Sequence, residues 1–180
     1  MTFFLWSTLA RSQDKSPAEW FCFDQNALNL LNAVGKEVPG FVYSELDEDV
    51  HQAYNPIIHG VRFKAILSSI FSSDGNFLVA MESLPWLKDI QEYSGVVSKD
   101  EVDYKTPEYA KKIFNADAVV TYPFEIEYLP LKARYNHGKM ILIHKRAMEG
   151  LLILYCFYND EGVKKWGEYY EGIEQMFRFR

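Results

Sequence analysis

Two apolar runs near the C-terminus, "KMILIHKR" at 139–146 and "LLILYCFY" at 151–158, constrain this chain more than any other feature. Side chains alternate across a strand, so each run must supply two faces. If "AMEG" closes a hairpin, Arg146 pairs with Leu151 and His144 falls opposite Ile153. One face then collects Met140, Leu142, His144, Ile153, Tyr155 and Phe157. The other collects Ile141, Ile143, Leu152, Leu154 and Cys156. Both faces are apolar, and only a central strand covered on both sides tolerates that.

The cover for one face follows in the sequence. After "YNDEG", where Asn159 or Asp160 can cap, Val163, Trp166, Tyr170, Ile173 and Phe177 recur at spacings of three and four. That pattern predicts a long amphipathic C-terminal helix. Glu174 and Arg178, four residues apart, are expected to pair on its flank. Gly167 and Gly172 each cost such a helix about 1 kcal/mol relative to alanine, which burial of the aromatic stripe must offset.

Upstream, "TPEYAKKIFNA" predicts a helix capped by Thr106 with Pro107 in the first turn, its Tyr109, Ile113 and Phe114 facing the core. "DAVVTYPFEIEY" reads as a strand with Pro123 at an edge or bulge, and "NHG" at 136–138 as a turn whose glycine takes a positive φ. "SSDG" joins residues 61–71 and 76–84 as an antiparallel hairpin. Further elements are a helix over 25–34, a strand at "GFVYSEL", an acidic loop "ELDEDVHQAYNP", a short helix in "SLPWLKDIQEYSG" and a polar loop over 95–105.

At 180 residues and 48% hydrophobic, the chain suits one globular domain with a sizeable core. The expected fold class is α+β, a central antiparallel sheet covered by helices. From residue 106 onward the order strand "DAVVTYPF", hairpin "KMILIHKR–LLILYCFY", then a helix ending "IEQMFRF", resembles the PsbP-like fold. That group includes photosystem II extrinsic subunits, nuclear-import release factors and DcrB-like envelope proteins. The resemblance implies a mostly non-enzymatic protein. A nuclear-transport-factor-like cone is the alternative, though it would place its long helices first.

The opening "MTFFLWSTLARSQD" carries an apolar run, Phe3 to Leu9, then small residues at Ala10 and Ser12, the pattern of a secretory cleavage site before Gln13. No Lys or Arg precedes the run. Two readings fit residues 1–12: the remnant of a leader, with a periplasmic or secreted domain over 13–180, or an N-terminal arm docked on a cytoplasmic one. Cys22 and Cys156 lie in apolar settings and read as buried thiols. In an exported chain a disulfide between them is the alternative.

Chemical motifs are sparse. His51, His59, His137 and His144 lack metal-ligand spacing, so no metal and no cofactor are expected. There is no nucleophile elbow and no phosphate-cradling glycine loop. Glu125 and Glu127 share a strand face but read as acids at a solvated edge. A net charge of −6 without a basic tract argues against nucleic acid, and no apolar run is long enough for a transmembrane segment.

Two functions fit what remains. The first is a non-catalytic binding or accessory protein of the bacterial cell envelope, of accessory or immunity type, acting by surface complementarity. Its acidic residues Glu45, Asp47, Glu48 and Asp49 would meet a basic surface on another protein. The second is a small-molecule-binding or enzymatic domain with a pocket between sheet and C-terminal helix, lined by Tyr155, Trp166 and Tyr170.

Overall fold

The computed structural model describes residues 33–44, 47–54, 57–58, 61–62, 66–84, 102–146 and 150–180. The expected leader or arm at 1–12, Cys22, Glu45, His59 and the helix expected after residue 84 lie outside them. The fold is α+β. Its main sheet has seven strands: β2 (Phe41–Ser44), β5 (Ile66–Ser72), β6 (Phe77–Leu84), β7 (Asp103–Tyr104), β8 (Ala118–Phe124), β9 (His137–Lys145) and β10 (Gly150–Tyr158). They run in the order β2-β5-β6-β10-β9-β8-β7, with every neighbouring pair antiparallel. Two small ladders stand apart, β1 (Ala33–Gly35) with β11 (Phe177–Phe179), and β3 (Ile57–Ile58) with β4 (Val61–Arg62).

Strand β10 lies in the middle, and all its side chains are buried. The two faces divide as alternation requires. Ile141, Ile143, Leu152, Leu154 and Cys156 join one core, while Met140, Leu142, Ile153, Tyr155 and Phe157 join the other. The register differs from expectation: His144 sits opposite Leu151, and Lys145 opposite Gly150. The cause is Asp117, whose Oδ2 accepts from the Arg146 amide at 2.6 Å and draws Arg146 out of the ladder. Because the slip is an even number of residues, no side chain changes face.

His144 is 3% exposed, and its Nε2 has no hydrogen-bond partner among the described residues.

Helix α2 (Pro107–Phe114) forms as its sequence dictates. The Thr106 hydroxyl accepts from the Tyr109 amide at 3.2 Å, and Asn115 leaves the helix in a left-handed conformation, φ 52°. The C-terminal helix, by contrast, is broken into α4 (Asp160–Lys164) and α5 (Trp166–Met176) at Lys165. Asn159 caps α4 by accepting from the Gly162 amide.

The expected stripe is therefore interrupted: Val163 is 47% exposed, whereas Trp166 and Tyr170 pack against the core and Ile173 and Phe177 are buried in it, joined by Tyr169 and Met176. Phe177 opens β11. Glu174 and Arg178 do not pair in that helix: Glu174 accepts from the Tyr109 hydroxyl, and Arg178 donates to the Lys112 and Ile113 carbonyls. Gly172 is needed where it stands, since a Cβ there would run into the Phe41 ring.

Other expectations are corrected in the same way. Of the helix expected over 25–34, residues 25–32 lie outside the described residues, and Ala33 and Val34 form a strand with Gly35. Val61 and Arg62 pair with Ile57 and Ile58, so the hairpin arm begins at Ile66. Ser83 and Leu84 end β6, and Asp103 and Tyr104 form a strand. His137 and Gly138 belong to β9. Gly138 takes no positive φ; its missing Cβ matters because one would lie 2.7 Å from the Phe124 carbonyl oxygen. Pro123 does stand at a local edge: β7 pairs only with Val120 and Thr121, leaving its outer side uncovered by that strand.

The tip of the β5–β6 hairpin is anchored to the C-terminal helices. Asp74 accepts from the Ser72 hydroxyl (2.6 Å), the Asn76 amide (3.2 Å), Lys165 Nζ (2.8 Å) and the Tyr169 hydroxyl (2.9 Å). Burial opposes ionisation here. The donors, Lys165 foremost, outweigh it and hold the carboxyl well below the usual carboxylate range.

Two stability tests follow from this packing. Leu154→Ala removes a fully buried side chain and is expected to cost about 2–5 kcal/mol in denaturant unfolding. Asp74→Asn tests the lowered carboxyl. Its ionised form stabilises the fold at every pH above the unfolded value of about 4, and that stability is lost as pH falls toward the lower folded value. The variant should be less stable at pH 7 by about 1–2 kcal/mol, with the gap closing below about pH 4.

Candidate functional site

One sheet face carries helix α1 (Glu48–Tyr54) and helix α3 (Leu129–Arg134). The residues of α1 were expected in an acidic loop. Asp47 makes them a helix instead: its Oδ1 accepts from the Val50 amide at 3.2 Å, and its carbonyl from the His51 amide at 2.8 Å. Glu48 and Asp49 then occupy the first turn, where the helix dipole favours negative charge.

Asp47 and Asp49 also hold Arg134 of α3, each at 2.9 Å. Burial acts against the guanidinium charge, but the two carboxylates keep Arg134 firmly protonated. Two members of the expected partner-binding cluster are thus engaged within the fold, while Glu48 is exposed.

The expected pocket residues are not brought together. Tyr155 belongs to the face under α1, whereas Trp166 and Tyr170 pack on the opposite face. Trp166 contacts Phe77, Tyr158 and Tyr170 and lies under Lys139 Nζ at 4.5 Å. Tyr170 meets the Tyr109 hydroxyl at 3.1 Å.

Tyr155 does line a cleft, on the side away from α5. The cleft measures about 490 Å³ and is bounded by Gln52, Ala53 and Tyr54 of α1, Phe124 at the end of β8, Glu125, Glu127 and Tyr128 beyond it, and Met140 and Tyr155. Chain geometry explains the arrangement. Gly138 lets the Phe124 backbone lie close against β9, and beyond Phe124 the alternation continues for one more step. Ile126 turns into the core while Glu125 and Glu127 face solvent.

The electrostatics of the cleft are one-sided. Burial pushes the Tyr54 hydroxyl up to about 12, and the negative charge of Glu127 adds to the shift. The Tyr155 hydroxyl donates to Glu82 Oε2 at 2.7 Å. Burial raises the Glu82 carboxyl above its ordinary value, and that hydrogen bond offsets only part of the rise. Tyr122 donates to Met140 Sδ at 2.8 Å on the same face.

The described lining residues thus offer carboxylates, ring faces and one amide, and they include no lysine or arginine. Glu82 and Tyr54 were not singled out from the sequence, and Glu125 and Glu127 were noted there only as acids at a solvated edge. The alternation in "FEIEY" was the available signal: acids on one side of a buried isoleucine, with a ring at each end.

The histidines are dispersed. His51 lies in α1, His144 in the core, and His137 bonds Asp160 at 2.8 Å while stacking on Tyr158. Among the described residues, no group of three or more His, Cys, Asp or Glu is placed to hold a metal ion, and no helix is long and apolar enough to cross a membrane. Cys156 is fully buried, and burial raises its thiol. Comparison with protein-family models, curated proteins and solved structures finds no match for this chain.

Glu82 works against folding at neutral pH. A carboxyl whose folded value lies above its unfolded one, about 4.3, loses stability as pH rises through that window. Glu82→Gln is therefore expected to melt higher than wild type at pH 7, and the difference should vanish near pH 4. A scan of melting temperature against pH for both proteins checks this.

Proposed function

We propose that this chain is a non-catalytic binding protein, of accessory or immunity type, that meets a basic partner protein through the acidic–aromatic cleft of the α1 face. The observation that carries the proposal is the cleft itself: exposed carboxylates over an aromatic floor, with no cation among the described lining residues. A half-buried Glu82 adds to it, since a carboxyl kept at a cost in stability belongs to recognition more readily than to folding. The net charge of −6 would speed encounter with a positively charged surface. The PsbP-like resemblance of the sequence from residue 106 onward, to a group mostly non-enzymatic, favours the same class of role. An address in the bacterial cell envelope remains part of the proposal.

A second function, capture of a small molecule, is favoured by the size of the cleft, which falls within the range of about 300–1,000 Å³ usual for ligand pockets.

Charge reversal distinguishes a recognition surface from a merely solvated one. Glu125→Lys with Glu127→Lys alters exposed positions and should change stability by no more than about 0.5 kcal/mol per site. Affinity capture from the native host is expected to recover a basic partner with the wild-type chain. Recovery should fall with added salt, and the reversed variant should lose the partner. A partner retained equally by both proteins, at low and high salt alike, would overturn the proposal.

A further inference from the structure

A run of aromatic side chains follows helix α5 on the sheet face opposite the cleft, and the binding proposal makes no use of it. Tyr158 of β10 lies 5.2 Å from Trp166, centroid to centroid, and Trp166 lies 5.8 Å from Tyr170. The Tyr170 hydroxyl is 3.1 Å from that of Tyr109 on α2. The Tyr109 hydroxyl in turn donates to Glu174. Trp166, Tyr170 and Tyr109 are each half-buried, so the run reaches the surface at Trp166 and ends between two helices.

Tyr109 differs from the other members in having a base within reach of its proton. Loss of an electron alone would leave its ring with a full positive charge in a half-buried place, which is costly. If the proton leaves at the same time, the ring stays neutral. Such a transfer needs an acceptor at hydrogen-bond distance, and Glu174 is one. Lys105 sharpens the distinction. Its Nζ lies 5.5 Å from the Tyr170 centroid and 6.0 Å from that of Tyr109. A cation over both rings opposes a charged radical and leaves a neutral one untouched. Burial, and after it the bond to Glu174, raises the Tyr109 hydroxyl above its ordinary value, so the phenol keeps its proton until an electron goes.

Two other tyrosines donate to carboxylates and fit less well. Tyr169 meets Asp74, which Lys165 and its other donors hold well below the usual carboxylate range, making it a poor base. Tyr155 meets Glu82 on the other face of the sheet from Trp166.

We infer that Tyr109 is a one-electron donor, passing its electron through Tyr170 and Trp166 to an oxidant at the surface and its proton to Glu174. The oxidant is an outer-sphere one-electron acceptor, which is reduced by one electron. The Tyr109 O–H bond breaks, an O–H bond forms on Glu174, and a neutral tyrosyl radical remains between α2 and α5.

Flash photolysis of the full chain with a photogenerated ruthenium(III) polypyridyl oxidant tests the inference, with electron paramagnetic resonance locating the radical. Tyr104 is 58% exposed and is the target of any dissolved oxidant that selects by access alone. Wild type and Tyr104→Phe should give the same radical, and Tyr109→Phe, which keeps the ring, should abolish it. Glu174→Gln should slow its formation at least about tenfold, because an amide accepts the hydrogen bond but is no base. Formation should also be slower in heavy water, and slower in Trp166→Phe. A radical on Tyr104, Tyr155 or Tyr169 in the wild type, a signal unchanged by Tyr109→Phe, or a rate indifferent to Glu174→Gln would each overturn the inference.

Discussion

Strand β10 shows no side chain to solvent on either face, and that condition organises everything around it. A strand so placed needs a neighbour at each edge and a cover above and below. The edges are met by β9 and β6, which pair along its length. One face is roofed by α2 and α5, the other by α1 and α3. The second roof is built from shorter helices, and the cleft opens where it stops, between the end of α1 and the stretch linking β8 to α3. The candidate site is thus a gap in the shielding of the central strand, lined by the aromatic residues that β8, β10 and α1 direct to that face.

Two carboxylates on one hairpin show how differently the fold treats charge. Asp74 sits at the tip, where a lysine, two hydroxyls and an amide converge on it and stabilise the anion. Glu82 sits near the far end of β6, half-buried, with the Tyr155 hydroxyl donating to it and burial as the dominant influence. Local donors decide the first case and desolvation the second. The anchored acid fastens the hairpin to the C-terminal helices. The strained one lies beside the cleft.

What could be foreseen from the residues follows the range of the forces involved. The two faces of the central hairpin were legible because alternation is a property of the strand alone. Its register was not, because Asp117 draws out Arg146 from a distant segment. The α2 helix was legible from Thr106 and Pro107, both local signals. In the acidic stretch the density of charge concealed a helix start at Asp47, and only the folded structure brings Arg134 to two of its acids. The C-terminal stripe ran on paper through a break at Lys165 that spacing cannot register. Tyr155 was recognised as a cleft residue but assigned the wrong companions, since Trp166 and Tyr170 lie across the sheet from it. Its true neighbours come from α1, β6 and the stretch after β8, segments far apart in sequence.

The position of β10 in the chain has a consequence for synthesis on the ribosome. This strand spans Gly150–Tyr158 of a 180-residue chain, yet it is the one that joins the β5–β6 hairpin to the β8–β9 pair. Until it emerges, β6 presents a bare edge, with Val79 and Met81 uncovered on one side and Leu78 and Ala80 on the other. Two half-sheets must therefore wait side by side for their common member. Loop closure over such a separation is slow, and unpaired edges with apolar faces are the surfaces through which nascent chains associate wrongly. The β5–β6 hairpin and the β8–β9 pair therefore become one sheet only when β10 pairs with both.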